Sequence, residues 1–417
     1  MEEKSLKPRI RFKGFTEAWE QRKLSSLGKI ETGNTPSTSI SEYYNDDGLL
    51  WVTPTDIKSN ITLDTERKLS PSGVKVARVI PENSILCTCI ASIGKNTFLP
   101  VKCAFNQQIN ALSPDDDNDP YFLYTNSYHW SETMKKGAGG LTFQIVNKTE
   151  FSNIETIIPK KPEQIQIGLL FKELDDVITL HQRKFEKLSQ IKKSLLEKMF
   201  PAEGATTPKI RFKGFTEAWE QRKFGDVLDT VTDYVAAGSF ADLAENVVYH
   251  SNPDYAQLVR TMDLKADFQN KEFIYVDKKA FDYLWRVNLN KDCIIMPNIG
   301  NCGEIYYINP EKLPYKHNVL GPNAIFVRSS ENNNKFLGYS FENEVFQKRL
   351  KLIVSPNGQT KFNKTELKGI EITITKIDEQ NKLGNLFDSL NQLITLHQRK
   401  YEKLKNIKKS LLEKMFV

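Results

Sequence analysis

The spacing of hydrophobic and polar positions divides the chain into two kinds of segment. Short runs rich in β-branched and aromatic residues, separated by turn-forming residues, predict β-strands. These runs occupy residues 49–57, 74–80, 84–94, 96–101 and 107–114, and then residues 271–277, 292–300, 304–310 and 323–330. Helices are predicted at residues 120–134 and 335–350. Each half of the chain is therefore predicted to hold a mixed α+β domain with many loops.

From residue 163 onward the apolar positions recur at steps of three and four, which predicts a long helix with one packing face. The same pattern closes the second half. The predicted coiled-coil positions are Leu174, Ile178, His181, Phe185, Leu188 and Leu195, and then Leu390, Ile394, His397, Tyr401, Leu404 and Leu411, with Ile191 and Ile407 continuing the steps. Because the two faces are alike, we expect the helices to pack together antiparallel. A helix over residues 163–200 would span about 57 Å, which suits a spacer.

Two pairs of near-copies frame the halves. Residues 8–23 recur at 208–223 with one change, Arg9 to Lys209, and residues 178–200 recur at 394–416 with three changes. The sequences between these frames share almost nothing. This pattern predicts two different domains on one pseudo-two-fold frame. The alternative is a recent duplication followed by drift, although drift alone would not spare the ends.

A chain of 417 residues exceeds one ordinary core, so two domains are expected. Each domain is predicted to be followed by its spacer helix. The predicted segments are a first repeat (1–23), a first recognition domain (24–160), a central spacer helix (161–200), a linker with the second repeat (201–223), a second recognition domain (224–375) and a C-terminal spacer helix (376–417).

Charge and cysteine content narrow the class of protein. The net charge of +6 favours a polyanionic partner without requiring one. Five cysteines in so long a chain do not indicate a disulfide framework, and they fit a reducing compartment. Cys87 and Cys89 lie in an apolar run without neighbouring ligands, so no zinc site is predicted there. Without an apolar leader or a membrane-length apolar stretch, the protein is expected to be soluble and cytoplasmic.

Several short motifs come close to catalytic signatures. Residues 252–255 are NPDY, which differs from the NPPY loop of adenine methyltransferases, and no G-x-G-x-x-G follows a predicted strand. Pro253 and Asp254 with residues 263–265 match a loose metal-nuclease pattern, and residues 115–117 are three aspartates without EF-hand spacing. Each is also an ordinary turn or solvated surface. We therefore expect no catalytic, cofactor or metal site in this chain.

The chain resembles a known family at several motifs in order. These are TGNTPSTSISEYYNDDGLLWVTPTDI at 32–57, ASIGKN at 91–96, AFNQQINA at 104–111, the beginning of the central spacer helix at 162–184 and the PxIRFxGFxxxWE start of both halves. Together they resemble the DNA-specificity subunits of type I restriction-modification systems over nearly the whole chain. The second domain lacks the TGNTP and FNQQ strings, so its resemblance depends on the flanking repeats.

The resemblance implies a non-catalytic subunit that binds double-stranded DNA and recognises a split target, with one domain for each half-site. Paired helices would fix the gap between the half-sites. Such a subunit docks two modification subunits, which use S-adenosylmethionine, and assembles with restriction subunits that use ATP and Mg²⁺. Two alternatives stay open: a stand-alone type II-like modification or restriction enzyme, and a helical scaffold that does not bind DNA.

Base recognition requires hydrogen-bond donors and acceptors on loops, and both domains offer clusters of them. In the first domain the candidates are Thr32, Gly33, Asn34, Thr35, Ser37, Thr53, Thr55, Lys58, Ser92, Lys95, Asn96, Asn106, Gln107, Gln108, Thr142 and Gln144. In the second domain they are Arg260, Thr261, Asn298, Asn301, Lys316, His317, Asn318, Asn323, Gln359 and Lys361. Any one of these residues could serve only to form a turn, so the prediction depends on their clustering.

Overall fold

The fold is mixed α+β. The computed structural model describes residues 6–58, 60–90, 92–137, 145–355 and 360–417. The chain divides into two compact units, one formed by the sequence up to Arg183 together with Gln398–Val417, the other by Lys184–His397. Among the described residues no helix has both the length and the apolar character needed to cross a membrane.

Eleven strands and four helices form the first half of the described chain. The strands are β1 (Glu20–Lys23), β2 (Gly28–Thr32), β3 (Tyr44–Asn45), β4 (Leu49–Val52), β5 (Lys68–Leu69), β6 (Val79–Ile80), β7 (Ser84–Thr88), β8 (Asn96–Leu99), β9 (Cys103–Phe105), β10 (Ile109–Pro114) and β11 (Glu155–Ile158). The helices are α1 (Pro71–Val76), α2 (Pro120–Gly137), α3 (Lys148–Ser152) and α4 (Lys161–Met199). The strands build a four-stranded sheet in the order β2-β10-β7-β8, a five-stranded sheet β3-β5-β4-β9-β6 and the pair β1-β11.

The second half holds nine strands and eight helices among its described residues. The strands are β12 (Glu220–Lys223), β13 (Thr230–Asp233), β14 (Ala256–Val259), β15 (Ile274–Val276), β16 (Cys293–Pro297), β17 (Tyr306–Ile308), β18 (Asn318–Leu320), β19 (Ala324–Arg328) and β20 (Glu371–Ile374). The helices are α5 (Phe224–Val227), α6 (Phe240–Asn246), α7 (Thr261–Lys265), α8 (Lys278–Tyr283), α9 (Asn334–Glu342), α10 (Glu344–Ile353), α11 (Lys364–Lys368) and α12 (Ile377–Met415). The sheets are β13-β19-β16-β17, β15-β14-β18 and the pair β12-β20.

The two central sheets have the same strand order although their sequences are unrelated. In chain order, the first, last, second and third strands of each sheet lie side by side, and all neighbours are antiparallel. Every residue of β7 and of β16 is buried, which gives each unit a continuous apolar layer. The second domain therefore repeats the core topology of the first with different side chains.

The near-identical repeats fold identically in both halves. β1 pairs with β11, and β12 pairs with β20, in matching antiparallel register. Both nitrogens at one edge of Arg11 donate to the carboxylate of Glu163, at 2.6 and 2.7 Å. Arg211 and Glu379 form the same two-bonded pair at 2.7 Å. Both glutamates are buried, and each pair fixes its repeat segment to the first turn of a long helix.

The last turn of each long helix completes the core of a unit. In the first unit the ring of Phe416, just after α12, stacks on Phe122 with centroids 5.6 Å apart. In the second unit Phe200, just after α4, stacks on Phe336 at the same distance. All four side chains are buried. Each unit therefore contains the C-terminal end of the helix that follows the other half's domain.

Within the first unit the two long helices run antiparallel. Phe171 on α4 contacts Phe416 with ring centroids 5.7 Å apart. One turn later along α4, Asp175 accepts a hydrogen bond from Lys408, two turns earlier along α12. The predicted helices over residues 163–200 and in the C-terminal segment are thus present, each 39 residues long.

The predicted coiled-coil positions are all buried or half-buried, but Ile191 and Ile407 do not belong with them. Their side chains are 38% and 40% exposed. Near the end of α4 the buried stripe shifts to Leu195, Leu196 and Met199, which pack against the core of the second unit. The helix surface there packs on a domain core, so the stripe turns away from Ile191. A continuous coiled coil remains a prediction.

One further prediction of secondary structure was wrong, and one was incomplete. Residues 74–76 lie in α1, because the hydroxyl of Ser70 accepts a hydrogen bond from a first-turn backbone N–H at 3.2 Å and Pro71 occupies the first helical position. The predicted helix over residues 335–350 is two helices, α9 and α10. They separate at Asn343, whose side chain caps α10.

Candidate nucleic-acid interface

In the first unit, three predicted recognition loops meet at one edge of a parallel strand pair. β4 and β9 are parallel, so the residues that follow them lie at the same edge. The backbone N–H of Asn106, after β9, donates to the carbonyl of Val52, the last residue of β4, at 3.0 Å. The loop after β2 joins them, because the backbone N–H of Asn34 donates to Phe105 at 3.0 Å. Ligands of α/β sheets commonly bind where loops converge at such carboxyl ends.

Exposed polar side chains line this edge. The hydroxyl of Thr35 donates to the side-chain oxygen of Gln107, which links the loop after β2 to the loop after β9. The exposed candidates of this unit are Thr35, Ser37, Thr55, Lys58, Lys95 and Gln107. Thr53 is half-buried and donates to Asp56 at 2.6 Å, which shapes its own turn. Thr35 and Gln107 therefore offer donors and acceptors to solvent from a fixed position.

Gly33 is needed by the fold at this edge. It is buried, and a Cβ at this position would lie 2.2 Å from the carbonyl oxygen of Phe105 and 2.3 Å from that of Asn106. The chain's own backbone thus occupies the space that a side chain would need. Gly33 therefore has a packing role, and a DNA contact from this predicted recognition residue stays a prediction.

Three predicted asparagines direct their side chains inward. The amide of Asn34 donates to the carbonyl of Val76 at 2.8 Å, and Asn96 donates to two serine residues of α2. Asn106 is buried and bonds both the side chain and the backbone N–H of Gln108.

Thr32 is half-buried and donates to Asn110 at 2.5 Å, while Ser92 and Gln108 are also half-buried. Their contacts hold loops in place, and a base contact from them stays a prediction.

The second unit has an equivalent edge. β14 and β18 are parallel, and the backbone N–H of Gly321, after β18, donates to the carbonyl of Val259 at 2.8 Å. The carbonyl of Asn323 accepts from the backbone of Asn298 at 3.2 Å, and Asn298 accepts from Phe362 at 3.1 Å. Asn298 and Asn323 were predicted separately, and the fold places them together.

The first unit contains the same chain of backbone bonds. Gln108 accepts from Cys89 at 2.8 Å, and Cys89 accepts from Val146 at 2.9 Å. Val146 and Phe362 each precede an NKTE sequence that forms a capping box at the start of a short helix. This third repeat is visible in the sequence, and it could have aligned the two domains.

Arg260 is committed to an internal ion pair. Its guanidinium donates to both carboxylate oxygens of Asp263, at 2.8 and 2.9 Å, and to the carbonyl of Glu272 at 2.9 Å. Burial favours the neutral form of Asp263, but the hydrogen bonds from Arg260 prevail and its pKa is lowered. This ion pair also engages Asp263, one of the two carboxylates in the nuclease-like pattern.

Other candidates of the second unit divide between core and surface. His317 stacks on Tyr255 with centroids 4.6 Å apart, and Asn318 is buried and donates to Tyr315 at 2.7 Å. Asn301, Lys316, Asn323 and Lys361 are exposed, and Thr261 is half-buried. Thr142, Gln144 and Gln359 lie outside the described residues.

Sequence reasoning missed two arginines that lie beside these edges. The guanidinium of Arg78 donates to the carbonyl of Thr32 at 2.5 Å, and that of Arg286 donates to the carbonyl of Ala236 at 2.7 Å. Both arginines are exposed. Each follows a short helix in a run that carries no recognition motif, so only the folded contacts reveal them.

The cysteines are free thiols. Cys87 and Cys89 lie in the core of the first unit, and the sulfur of Cys89 accepts a hydrogen bond from Asn110 at 3.2 Å. Burial raises the pKa of Cys89 to about 11, so the thiol stays neutral at physiological pH. In the described part of the chain, no group of three or more His, Cys, Asp or Glu residues could hold a metal ion.

Comparisons with known proteins agree over both halves. The family described as "Type I restriction modification DNA specificity domain" matches residues 16–190 and 216–406. The type I restriction enzyme MjaIX specificity subunit of Methanocaldococcus jannaschii is 25% identical over 95% of this chain and 92% of its own. The HindI specificity subunit of Haemophilus influenzae is 32% identical over 44% of this chain and 41% of its own. In fold, the chain is similar to the S subunit of a type I system from M. genitalium, with a TM-score of 0.68, 16% identity and 99% of both chains covered.

Proposed function

Since this chain belongs to the type I restriction-modification DNA specificity family, we propose that it recognises a bipartite DNA target and docks two modification subunits. Each domain recognises one half-site. The observation that carries this proposal is the repeated carboxyl edge: the parallel pairs β4-β9 and β14-β18 present different loops, in units whose central sheets have the same strand order. The near-identical flanking repeats hold both domains in the same way, and the different loops give the domains different base preferences.

The duplicated surface supports the docking of two identical partners. Lys13 and Thr16 are exposed, and so are their copies Lys213 and Thr216. Buried residues of a repeat are required by its own core, but exposed ones are not. An identical exposed surface on each half fits the same surface of two modification subunits in the same way.

The spacer helices support a fixed gap between the half-sites. Half-sites on one face of the duplex lie roughly 34 Å apart, or a multiple of that distance. Continuous helices of 39 residues have the length that such a spacing requires. We expect α4 and α12 to set the number of unread base pairs.

The modification and restriction subunits would carry out the chemical reactions. Modification subunits would transfer a methyl group from S-adenosylmethionine to adenine, and restriction subunits would use ATP and Mg²⁺. This chain acts as a non-catalytic subunit that chooses the site, and its work on DNA is cytoplasmic.

The test is to map methylated adenines in cells with the complete complex. The wild-type complex should methylate one bipartite sequence, and the purified chain alone should methylate nothing. Replacing residues 24–150 with the same region of another family member should change one half-site only. Methyl transfer by the chain alone would favour a stand-alone enzyme, and a complex with no salt-dependent DNA affinity would favour a scaffold.

A further inference from the structure

Arg78 occupies a defined place at the carboxyl edge of the first unit. β6 pairs antiparallel with β9, with Val79 opposite Ala104. One residue back along β6, the register places Arg78 opposite Phe105. Phe105 ends β9, directly before the turn that carries Gln107.

Arg286 lies beside the corresponding edge of the second unit. Asn288 bridges Val319 of β18 in antiparallel orientation. Arg286 lies two residues before Asn288, in the short 3-10 helix Trp285–Val287. Each arginine therefore lies one or two residues before a residue that pairs antiparallel with the second strand of the parallel pair, although the surrounding sequences are unrelated.

Both guanidinium groups are held in the same way. Each uses Nη1 to donate to a backbone carbonyl at or just after the end of the first strand of its central sheet. Arg78 donates to Thr32, the last residue of β2, at 2.5 Å, and Arg286 donates to Ala236, three residues after β13, at 2.7 Å. Arg286 also lies over the ring of Trp285 at 5.0 Å. Both side chains remain exposed. A guanidinium has five N–H donors, so an anchored arginine keeps most of them for a ligand and has less freedom to lose on binding.

We propose that Arg78 and Arg286 are matched phosphate contacts that position the two domains on the DNA backbone. A base contact must differ between domains that recognise different sequences, whereas the phosphate backbone is the same at both half-sites. An anchored cation repeated beside the same edge of both domains, in unrelated sequences, therefore fits phosphate. This assignment rests on the proposed function.

The experiment uses the complete complex with its modification subunits and the variants Arg78→Gln, Arg286→Gln and Lys102→Gln. Lys102 is an exposed cation directly before β9, at the opposite edge of the same strand, and it serves as the matched control. Affinity for a cognate and a non-cognate duplex is measured by fluorescence anisotropy across a salt series. Each arginine variant should lose affinity for both duplexes by the same factor, roughly 3- to 10-fold, and the slope of log K against log salt should fall by about 1.

Several outcomes overturn the assignment. An unchanged salt slope would remove the phosphate contact, and a loss confined to the cognate duplex would make the arginine a base contact. A glutamine variant that lowers the melting temperature could lose affinity through misfolding alone. In that case Arg78→Lys and Arg286→Lys are measured, because lysine keeps the positive charge. Lysine variants that keep the wild-type slope support the proposal, and lysine variants with the glutamine slope refute it. A wild-type complex that binds no DNA would instead refute the proposed function.

Discussion

The side chain of Lys408 on α12 donates to Asp175 on α4 at 2.5 Å, and the carboxylate is almost fully buried. Asp175 also accepts from the hydroxyl of Tyr121 at 3.0 Å and from Asn60 at 2.9 Å. One carboxylate thus joins both long helices, the helix α2 and a loop of the recognition domain. In a buried site such a pair is costly to break on one side, because the remaining charge loses its partner.

We expect Lys408→Met to lower the free energy of unfolding of the first unit by about 3 kcal/mol. The reason is that Asp175 would keep two neutral donors but lose Lys408, the one cation that pairs with it among the described residues. Urea unfolding followed by tryptophan fluorescence measures the change. Lys409→Met alters the exposed neighbour on the same helix and should have little effect. Equal effects of the two substitutions would contradict the prediction.

Phe416 should act as a core residue in spite of its place near the chain end. It is 5% exposed and contacts Trp19, Phe122 and Phe171. Phe416→Ala should destabilise the first unit by about 3 to 5 kcal/mol through the cavity that it leaves. Calorimetry of the full chain measures this loss. The neighbouring Val417 is exposed, and a chain with Val417→Ala should melt like the wild type.

The stability of the first unit should decrease in mild acid because of His129. Its Nε2 is buried and has no hydrogen-bond partner in the part of the chain that the structure describes, and burial lowers the pKa of His129 below the ordinary value of 6.5. The unfolded chain then binds a proton more readily than the folded one. The stability that neutral His129 contributes is fully present above about pH 6.5, and it is lost as the pH falls from there through the folded-state pKa.

Urea unfolding at several pH values between about 5 and 8 tests the role of His129. His129→Gln should flatten the loss that belongs to this residue, since glutamine does not titrate. His250→Gln alters a histidine that is 40% exposed in the second unit and should leave the loss in place. A wild-type chain with equal stability at both ends of the range would refute the prediction.

Gly33 and Gln107 lie at the same edge but should respond differently to substitution. Gly33→Ala brings a Cβ within 2.2 Å of a backbone oxygen, so the first domain should lose roughly 2 to 4 kcal/mol of stability. Gln107→Ala removes an exposed side chain and should leave the melting temperature unchanged while relaxing the sequence that is methylated. Thermal unfolding combined with methylation mapping separates the two. A stable Gly33→Ala chain would show that the loop can move.

How far the sequence predicts this fold depends on the range of the interactions. The long helices follow from local spacing, and residues 161–199 and 377–415 are helical as predicted. Strands β7 and β16 follow from their apolar runs. Residues 74–76 were assigned to a strand because their composition favours one, whereas the cap at Ser70 fixes a helix. A local cap outweighed composition there.

Candidate site residues were harder to predict. Asn96 and Asn106 share the residue type and loop setting of a base contact, yet one secures α2 and the other its own turn. Asparagine serves turns and base edges with the same amide group, so residue type does not separate the two roles. Arg78 and Arg286 show the reverse, since no motif marks them.

The sequence by itself determined the duplicated frame, the long helices and the mixed α+β class, because repetition and periodicity are properties of neighbouring residues. Only the tertiary structure decided that the unrelated centres share one sheet order, and that Phe200 and Phe416 complete the cores of the two units. It also decided which polar groups remain exposed at the carboxyl edges. These features depend on contacts between residues far apart in the chain, where packing and hydrogen-bond geometry prevail over local pattern.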